Sequence, residues 1–256
     1  MIIDCFLFYT ECDMLEYRLE ILYQYVNYFV IVESNKTFAG NEKKLYYKQN
    51  SKRFEKYKNK IFYIIVDNTP ETINSLSKEI YQRNCIKKGL ERIDCKDDDL
   101  IIISDLDEIP DIKTIKEYEN YIKNVHMVCL EQEHYYYSLN YNKIKKWYFA
   151  RVITYSLFKN FSYLSQNVRV SQCNILQKGG WHLSYFGNPE FIKNKLEQFS
   201  HQEFNNENYT DIFKIKYKIE NGINLFDNVK FKYVLLKDNE YLPPNMELFL
   251  SFFQSN

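Results

Sequence analysis

The hydrophobic positions in the first 110 residues form short continuous runs instead of alternating with polar residues. Four such runs predict strands that are buried on both faces, as in the parallel part of an α/β sheet. They lie at residues 2–9, 28–32, 61–66 and 100–103. Acidic residues and Pro110 follow the last run, and proline cannot continue a strand ladder.

The segments between these runs have the periodicity of helices. The first apolar stripe consists of Leu15, Leu19, Leu22 and Val26. The second, in a helix predicted over residues 71–88, consists of Ile73, Leu76 and Ile80. We expect Gly89 to end that helix in the left-handed conformation. The resulting β-α-β-β-α-β order is typical of a Rossmann-like nucleotide-binding half over residues 1–110.

The second half, residues 111–256, is richer in aromatic residues and less regular. Strands are predicted at residues 127–137, 147–155 and 168–176. Helices are predicted after Pro189, which suits a first helical turn, and at residues 209–221. Residues 241–246 read as an extended surface segment. Because no internal repeat and no Gly/Ser linker interrupts the chain, we expect a single α/β domain over residues 1–256 with a mixed sheet.

Composition and charge exclude several classes of protein. The chain has 34 basic and 34 acidic residues among 256, so nothing indicates a general binder of nucleic acid or of membrane surfaces. The six cysteines lack Cys-x-x-Cys spacing, which argues against a zinc site. No Gly-x-Gly-x-x-Gly or Walker loop is present. Without a basic leader or an apolar run of about 20 residues, we expect a cytoplasmic protein with no membrane span.

The acidic cluster after the fourth run is the strongest chemical signal. Asp105, Asp107 and Glu108 directly follow a predicted buried strand. Ligands of open α/β sheets bind at the carboxyl ends of the strands, and carboxylate oxygens are suited to Mg²⁺ or Mn²⁺. Such an Asp-x-Asp pattern can hold a diphosphate through the metal. Taken alone it is a weak signal, since acidic loops at strand ends are common on solvated surfaces.

Three ordered segments together carry a resemblance to a known family. They are Glu33-Ser-Asn35, Asp105-Leu-Asp-Glu-Ile-Pro110 and Gly180-Trp-His-Leu-Ser-Tyr185, the last with Pro189-Glu190 downstream. With Gln82-Arg-Asn84, Tyr137 to Asn140, His201-Gln-Glu203 and Leu242-Pro243, this set resembles glycosyltransferase family seventeen. The best-known members of that family are the β-1,4-mannosyl-glycoprotein 4-β-N-acetylglucosaminyltransferases.

The resemblance implies a GT-A-type fold, a divalent metal, inversion at the anomeric carbon and a UDP-sugar donor. In the known members the donor is UDP-N-acetylglucosamine. Residues 1–110 would then bind the nucleotide sugar, and residues 111–256 the acceptor. The membrane anchor and stem of the Golgi enzymes are not found in this sequence, which leaves the acceptor open. The oligomeric state and the native metal are also left open.

Ligand roles follow from the resemblance and from local context. We expect Asp105, Asp107 and His182 to bind the metal, with glycines before His182 allowing close backbone approach. Donor contacts are expected from Tyr9, Glu33, Lys36, Arg83, Asp105 and Leu106. Arg83 continues an apolar helical stripe, so it should pair with an anion, either the UDP phosphates or a structural carboxylate such as Asp105.

An inverting transferase also needs a base that deprotonates the acceptor hydroxyl. Glu190 is our candidate because it opens a helix just after the predicted ligand segment, although plain dipole capping would also explain it. Asp211, Glu131 and Glu203 are its rivals.

Acceptor contacts are expected from residues whose rings could also pack in the core, namely Tyr137, Asn140, Trp147 and Trp181. Two other functions stay open: a catalytically inactive carbohydrate-binding or structural protein on the same fold, and a metal-dependent nucleotidyl- or phosphotransferase.

Overall fold

The computed structural model describes residues 1–71, 73–162 and 164–253. Its strands are β1 (Ile2–Phe8), β2 (Tyr28–Ser34), β3 (Ile61–Val66), β4 (Leu100–Asp105), β5 (Glu108–Pro110), β6 (Met127–Tyr136), β7 (Ser138–Trp147), β8 (Arg151–Thr154), β9 (Asn174–Ser184) and β10 (Lys232–Tyr233). Its helices are α1 (Cys12–Leu22), α2 (Tyr46–Gln49), α3 (Ser75–Asn84), α4 (Ile86–Leu90), α5 (Ile112–Glu117), α6 (Glu119–Val125), α7 (Tyr155–Asn160), α8 (Ser165–Val170), α9 (Pro189–Gln198), α10 (Glu207–Thr210), α11 (Ile212–Asn221) and α12 (Met246–Phe253).

One mixed sheet connects the two halves of the chain. Strands β3, β2, β1 and β4 lie side by side and are parallel, so the predicted order of strands and their parallel direction are confirmed. The short helix α2 lies between β2 and β3 in addition to the predicted helices. Strand β8 runs antiparallel to β4 and leads to β6, β7 and β10. Strand β9 pairs with both β6 and β5. The sheet therefore continues from the parallel part into the aromatic-rich half.

Two layers of apolar side chains cover the parallel strands. Phe6 and Ile102 face the core that contains α1, while Cys5 and Ile101 face the core that contains α4. Because both faces are covered, these strands read as continuous apolar runs without alternation. Each large side chain that is fully buried in this way contributes about 1.5–3 kcal/mol to folding. The two cores fix the strand ends where the candidate site lies.

The predicted helix over residues 71–88 differs from the structure. It consists of α3 and α4 with a break at Cys85, residue 72 lies outside the described residues, and Leu76 is 49% exposed. The prediction for Gly89 was wrong, since this residue lies inside α4 and is not among the glycines with positive φ. A Cβ atom on Gly89 would lie 2.4 Å from Val30 Cγ1. Gly89 therefore allows α4 to approach β2 closely.

The second half departs further from its predicted elements. Residues 165–170 form a helix, α8, where a strand over 168–176 was predicted, and β9 begins only at Asn174. The hairpin between β6 and β7 and the apolar helix α12 were not predicted. Residues 254–256, at the end of the predicted domain, lie outside the described residues. Among the described residues, every helix is either too short or too polar to cross a bilayer.

Candidate active site

A cleft with a volume of about 520 Å³ opens at the carboxyl ends of the parallel strands. In the strand register, Leu7 lies opposite Asp105, and Phe8 lies opposite Glu33. The residues that directly follow β1 and β4 therefore meet at one edge of the sheet. Tyr9, Asp105 and Asp107 line the cleft there. The structure brings the end of β1 and the acidic turn together, as the sequence predicts.

Asp105 belongs to an arginine cluster, which consists of Arg83, Asp105, Glu108 and Arg169. Arg83 Nη1 donates to Asp105 Oδ1 at 2.7 Å, and Arg169 Nη2 donates to Asp105 Oδ2 at 2.9 Å. Arg169 also forms hydrogen bonds of 2.7 and 2.9 Å to the fully buried Glu108. Although burial alone would raise the pKa of Asp105, Arg169 and Arg83 lower it. Both oxygens of Asp105 are thus held by cations of the chain.

Asp107 belongs to a separate lysine cluster, which consists of Glu11, Asp107 and Lys195. Lys195 Nζ lies 3.1 Å from Asp107 Oδ2 and 3.1 Å from Glu11 Oε1. Burial alone would raise the pKa of Asp107, but Lys195 and His182 bring it far below its usual range. Burial alone would lower the pKa of Lys195, but Asp107 and Glu11 raise it. Asp107 and Lys195 are therefore ionised, and the cluster faces the cleft.

Strand β9 delivers His182 to the lysine cluster. His182 lies opposite Glu108 in the β5–β9 pairing, and its Nε2 atom is 3.5 Å from Asp107 Oδ1. Gly180, two residues earlier, has a φ of +131°, and a Cβ atom there would lie 2.1 Å from the carbonyl oxygen of Ile109. Only glycine therefore allows this close approach of β9 to β5. Gly180 therefore determines how closely β9, and with it His182, approaches β5.

The ring of His182 stacks on that of His134, with their centroids 4.5 Å apart. Burial and the neighbouring His182 lower the pKa of His134 to about 2, so His134 is neutral. Among the described residues, His182 Nδ1 is buried without a hydrogen-bond partner. The stack therefore fixes the plane of the His182 ring, while its Nε2 atom lies 3.1 Å from Ser184 Oγ and 3.5 Å from Asp107 Oδ1.

A fully buried arginine supports the acidic turn from below. Arg18 of α1 pairs with Asp4, and its Nη2 and Nε atoms donate to the two carboxylate oxygens at 2.7 and 2.9 Å. Its Nη1 atom donates to the carbonyl oxygens of residues 105, 106 and 108 at 2.7, 3.0 and 3.0 Å. Because buried backbone carbonyls need partners, Arg18 satisfies the turn that carries Asp107.

Comparison with known proteins decides the family. The model of glycosyltransferase family 17 matches residues 1–239. The chain belongs to glycosyltransferase family 17. The expected resemblance is thereby confirmed, and glycosyl transfer is the activity of the family.

Solved structures that are similar to this family 17 chain are distant. The structure of S. aureus TarS 1-349 is 10% identical, with a TM-score of 0.44, and the match covers 86% of this chain and 70% of that one. The glycosyltransferase GlyE of Streptococcus pneumoniae TIGR4 is 8% identical, with a TM-score of 0.35, and the match covers 100% and 61%. The comparison with curated proteins gives no match.

Several of the predicted donor residues line the cleft of this family 17 chain, namely Tyr9, Lys36, Arg83, Asp105 and Leu106. Glu33 lies elsewhere. Its fully buried carboxylate accepts hydrogen bonds from Lys43 Nζ at 2.7 Å and from the Tyr63 hydroxyl at 2.8 Å. The backbone amides that begin α2 donate to it as well. Glu33 holds the loop after β2 and does not support a direct donor contact.

The predicted acceptor residues are mostly structural. Trp181 is 3% exposed and donates to the carbonyl oxygen of Tyr241 at 3.0 Å. The Tyr137 hydroxyl donates to the Ile223 carbonyl, and Asn140 Nδ2 donates to the Val234 carbonyl, both at 2.9 Å. Trp147 does line the cleft, where its Nε1 atom donates to Glu108 Oε1. The four residues were predicted as a group, but only Trp147 of them lines the cleft.

The predicted base does not reach the site either. Glu190 is exposed on the first turn of α9, while Lys195 and Gln198 are the residues of this helix that line the cleft. The rivals also lie elsewhere. Asp211 caps α11, Glu131 accepts from the Tyr148 hydroxyl, and Glu203 is exposed beside His201. The position of Glu190 corrects our interpretation. The sequence predicts that a helix begins near Glu190, but it does not reveal which way the first turn of that helix faces.

Arg18, Arg169 and Lys195 were missed by the sequence analysis. Arg18 follows Leu15 by three residues, and Lys195 follows Ile192 by three, so both occupy the apolar faces of their helices. A cation in that position requires a buried anion, which is the rule already applied to Arg83. Arg169 gives no comparable signal, since the segment around it reads as a strand.

Proposed function

We propose that this family 17 chain is a metal-dependent, inverting glycosyltransferase of GT-A-type fold that uses a UDP-sugar. UDP-N-acetylglucosamine is the proposed donor, and a hydroxyl group of a glycan is the acceptor. The observation that carries the proposal is the position of Asp107, which opens onto a cleft of about 520 Å³ at the carboxyl ends of parallel strands. This volume is in the usual range for sites that bind small molecules.

The cleft supplies positive charge for an anionic donor. Of the cations that line it, Arg83, Arg169 and Lys43 have side chains that are 1%, 5% and 7% exposed and are paired with carboxylates. Lys36 and Lys195 are more accessible, at 17% and 22%. A diphosphate that enters the cleft would therefore meet Lys36 and Lys195 before the other cations. Their charge stabilises the leaving diphosphate as negative charge develops on it.

A divalent ion fits between Asp107 and His182. Two neighbouring ligands of an octahedral ion, each about 2.1 Å from it, lie about 3 Å apart, which is close to the observed 3.5 Å. Among the described residues, no group of three or more His, Cys, Asp or Glu side chains is arranged as a metal cage. Mg²⁺ commonly takes one or two protein carboxylates together with substrate phosphates. When bound, such an ion would neutralise charge on the diphosphate.

Asp105 takes a different part in this proposal from the one first expected. Because Arg83 and Arg169 occupy both of its oxygens, it holds the arginine cluster at the cleft wall and leaves metal binding to Asp107 and His182. We then expect the nucleoside to contact residues that follow β1 and β2, including Tyr9. The hydroxyl of Tyr9 donates to Asn194 Oδ1 at 2.8 Å.

Thermal unfolding with a panel of nucleotides and nucleotide sugars tests the donor assignment. UDP or UDP-N-acetylglucosamine with Mn²⁺ should raise the Tm, and each ligand without Mn²⁺ should raise it less. Stabilisation by another nucleotide but not by UDP would overturn the donor assignment.

The products of the reaction test the alternative functions. Release of pyrophosphate or transfer of phosphate would indicate a nucleotidyl- or phosphotransferase. Donor binding without turnover of any sugar would favour an inactive carbohydrate-binding protein.

A further inference from the structure

A second cavity is also lined by the lysine cluster. Its volume is about 390 Å³. Among the described residues, four line both this cavity and the cleft: Glu11, Asp107, Tyr185 and Lys195. The two spaces therefore adjoin at the side chains that carry the charged groups of the site.

The lining of the second cavity combines aromatic rings with charged groups. Phe191, Phe252 and Phe253 are only partly buried, so their rings are accessible from the cavity. At the polar rim, Arg53 Nη2 donates to Asp13 Oδ1 at 2.6 Å. Accessible rings suit the apolar face of a pyranose, and carboxylates accept hydrogen bonds from its hydroxyl groups. The chemistry of this lining matches a saccharide.

Glu11 is placed to act between the two spaces. It is the N-cap residue of α1, but its side chain makes no capping hydrogen bond, so its carboxylate is not required by the helix. Lys195 holds Oε1 at 3.1 Å, and the amide of Thr10 donates to Oε2 at 3.0 Å. The side chain is 15% exposed. It is therefore held in one orientation and remains within reach of a molecule in either cavity.

We propose that the second cavity binds the acceptor saccharide and that Glu11 is the catalytic base of the transfer. This inference rests on the proposed function, in which the donor fills the cleft. Glu11 takes the proton of the acceptor hydroxyl, while the oxygen of that hydroxyl forms a bond to the anomeric carbon. The bond from that carbon to the diphosphate oxygen breaks, and its electron pair leaves with UDP. Attack from the side opposite the leaving group inverts the anomeric carbon.

UDP release from UDP-N-acetylglucosamine with Mn²⁺ tests the base, with water as the acceptor when no saccharide is added. Glu11→Gln should lower the rate on the order of 10²-fold and leave the Kd for UDP within about threefold. Glu207→Gln, an exposed glutamate on α10, is the matched control and should keep the wild-type rate. A folded Glu11→Gln protein with the wild-type rate would overturn the assignment.

Methyl glycosides of glucose, galactose, mannose and N-acetylglucosamine probe the second cavity. At least one should accelerate UDP release, and Phe252→Ala should raise the KM for that glycoside by about two- to tenfold with unchanged Kd for UDP. Phe213→Ala, which removes a ring that is 81% exposed on α11, is the control. An unchanged KM, or no acceleration by any glycoside in the wild type, would refute the acceptor cavity. Wild-type protein that neither binds UDP nor turns over the donor would instead refute the proposed function.

Discussion

The arginine cluster and the lysine cluster lie on either side of one short turn, yet the exposure of their cations differs. In the arginine cluster, the side chains of Arg83 and Arg169 are 1% and 5% exposed and Glu108 is fully buried, while Asp105 is 35% exposed. In the lysine cluster, the side chains of Lys195, Asp107 and Glu11 are 22%, 18% and 15% exposed. In the first cluster, each carboxylate is held by guanidinium groups that are almost completely buried. In the second, the lysine itself is accessible from the cleft, so the two acids of one motif have cations of different exposure.

The largest expected effect is on stability in the arginine cluster. Arg169→Met leaves the buried Glu108 without its cation and should lower the free energy of unfolding by about 3–5 kcal/mol. Lys195→Met, the matched variant in the lysine cluster, should cost only about 1 kcal/mol, because water reaches its partners. Denaturant titration of both proteins measures the difference. Equal losses would show that the two clusters do not differ in this way.

The next effect is on ligand binding. Asp107→Asn should leave the unfolding midpoint close to that of the wild type and lower the Mn²⁺-dependent affinity for UDP by at least about tenfold. Asp105→Asn should instead lower the midpoint, since Arg83 and Arg169 lose a common anion. Calorimetric titration of UDP, with Mn²⁺ and with chelator, separates the variants. Unchanged UDP affinity in Asp107→Asn would remove Asp107 from the metal site.

The smallest expected effect is at Glu190, which lies outside both clusters. Glu190→Gln removes a favourable interaction with the dipole of α9 and should cost about 0.3–1 kcal/mol. Its turnover in folded protein should equal that of the wild type. Single-turnover transfer measured beside the unfolding midpoint decides this. A turnover reduced on the order of 10²-fold would restore Glu190 as the base and displace Glu11.

The local parts of the fold could be predicted from the sequence. The apolar runs of β1 to β4 and the stripe of Leu15, Leu19 and Leu22 carry a period that depends on neighbours a few residues away. The acids at the end of β4 followed from the same pattern. The ion pairs could not be predicted in the same way, because Arg169 lies 64 residues from Asp105 in the chain. No periodicity reports a contact over that separation.

Burial of aromatic residues was equally hard to predict. Trp147 and Trp181 have the same side chain, yet Trp147 lines the cleft while Trp181 packs in the core against Tyr241. The second half contains irregular connections, and its hairpin from β6 to β7 includes register shifts. A shift of one residue exchanges the two faces of a strand. Side-chain direction there depends on those shifts, which the sequence pattern does not reveal.

Arg18 has a consequence for motion at the site. Its guanidinium group ties three carbonyl oxygens of the acidic turn to Asp4 of β1 with no exposure to solvent. Amide hydrogens of this turn should therefore exchange slowly, at a rate that approaches that of global opening. A turn that is rigid before the donor arrives loses little conformational entropy when the donor binds. The acidic turn would then already have its final conformation when the catalytic cycle begins, and any closing motion would involve other segments that line the cleft.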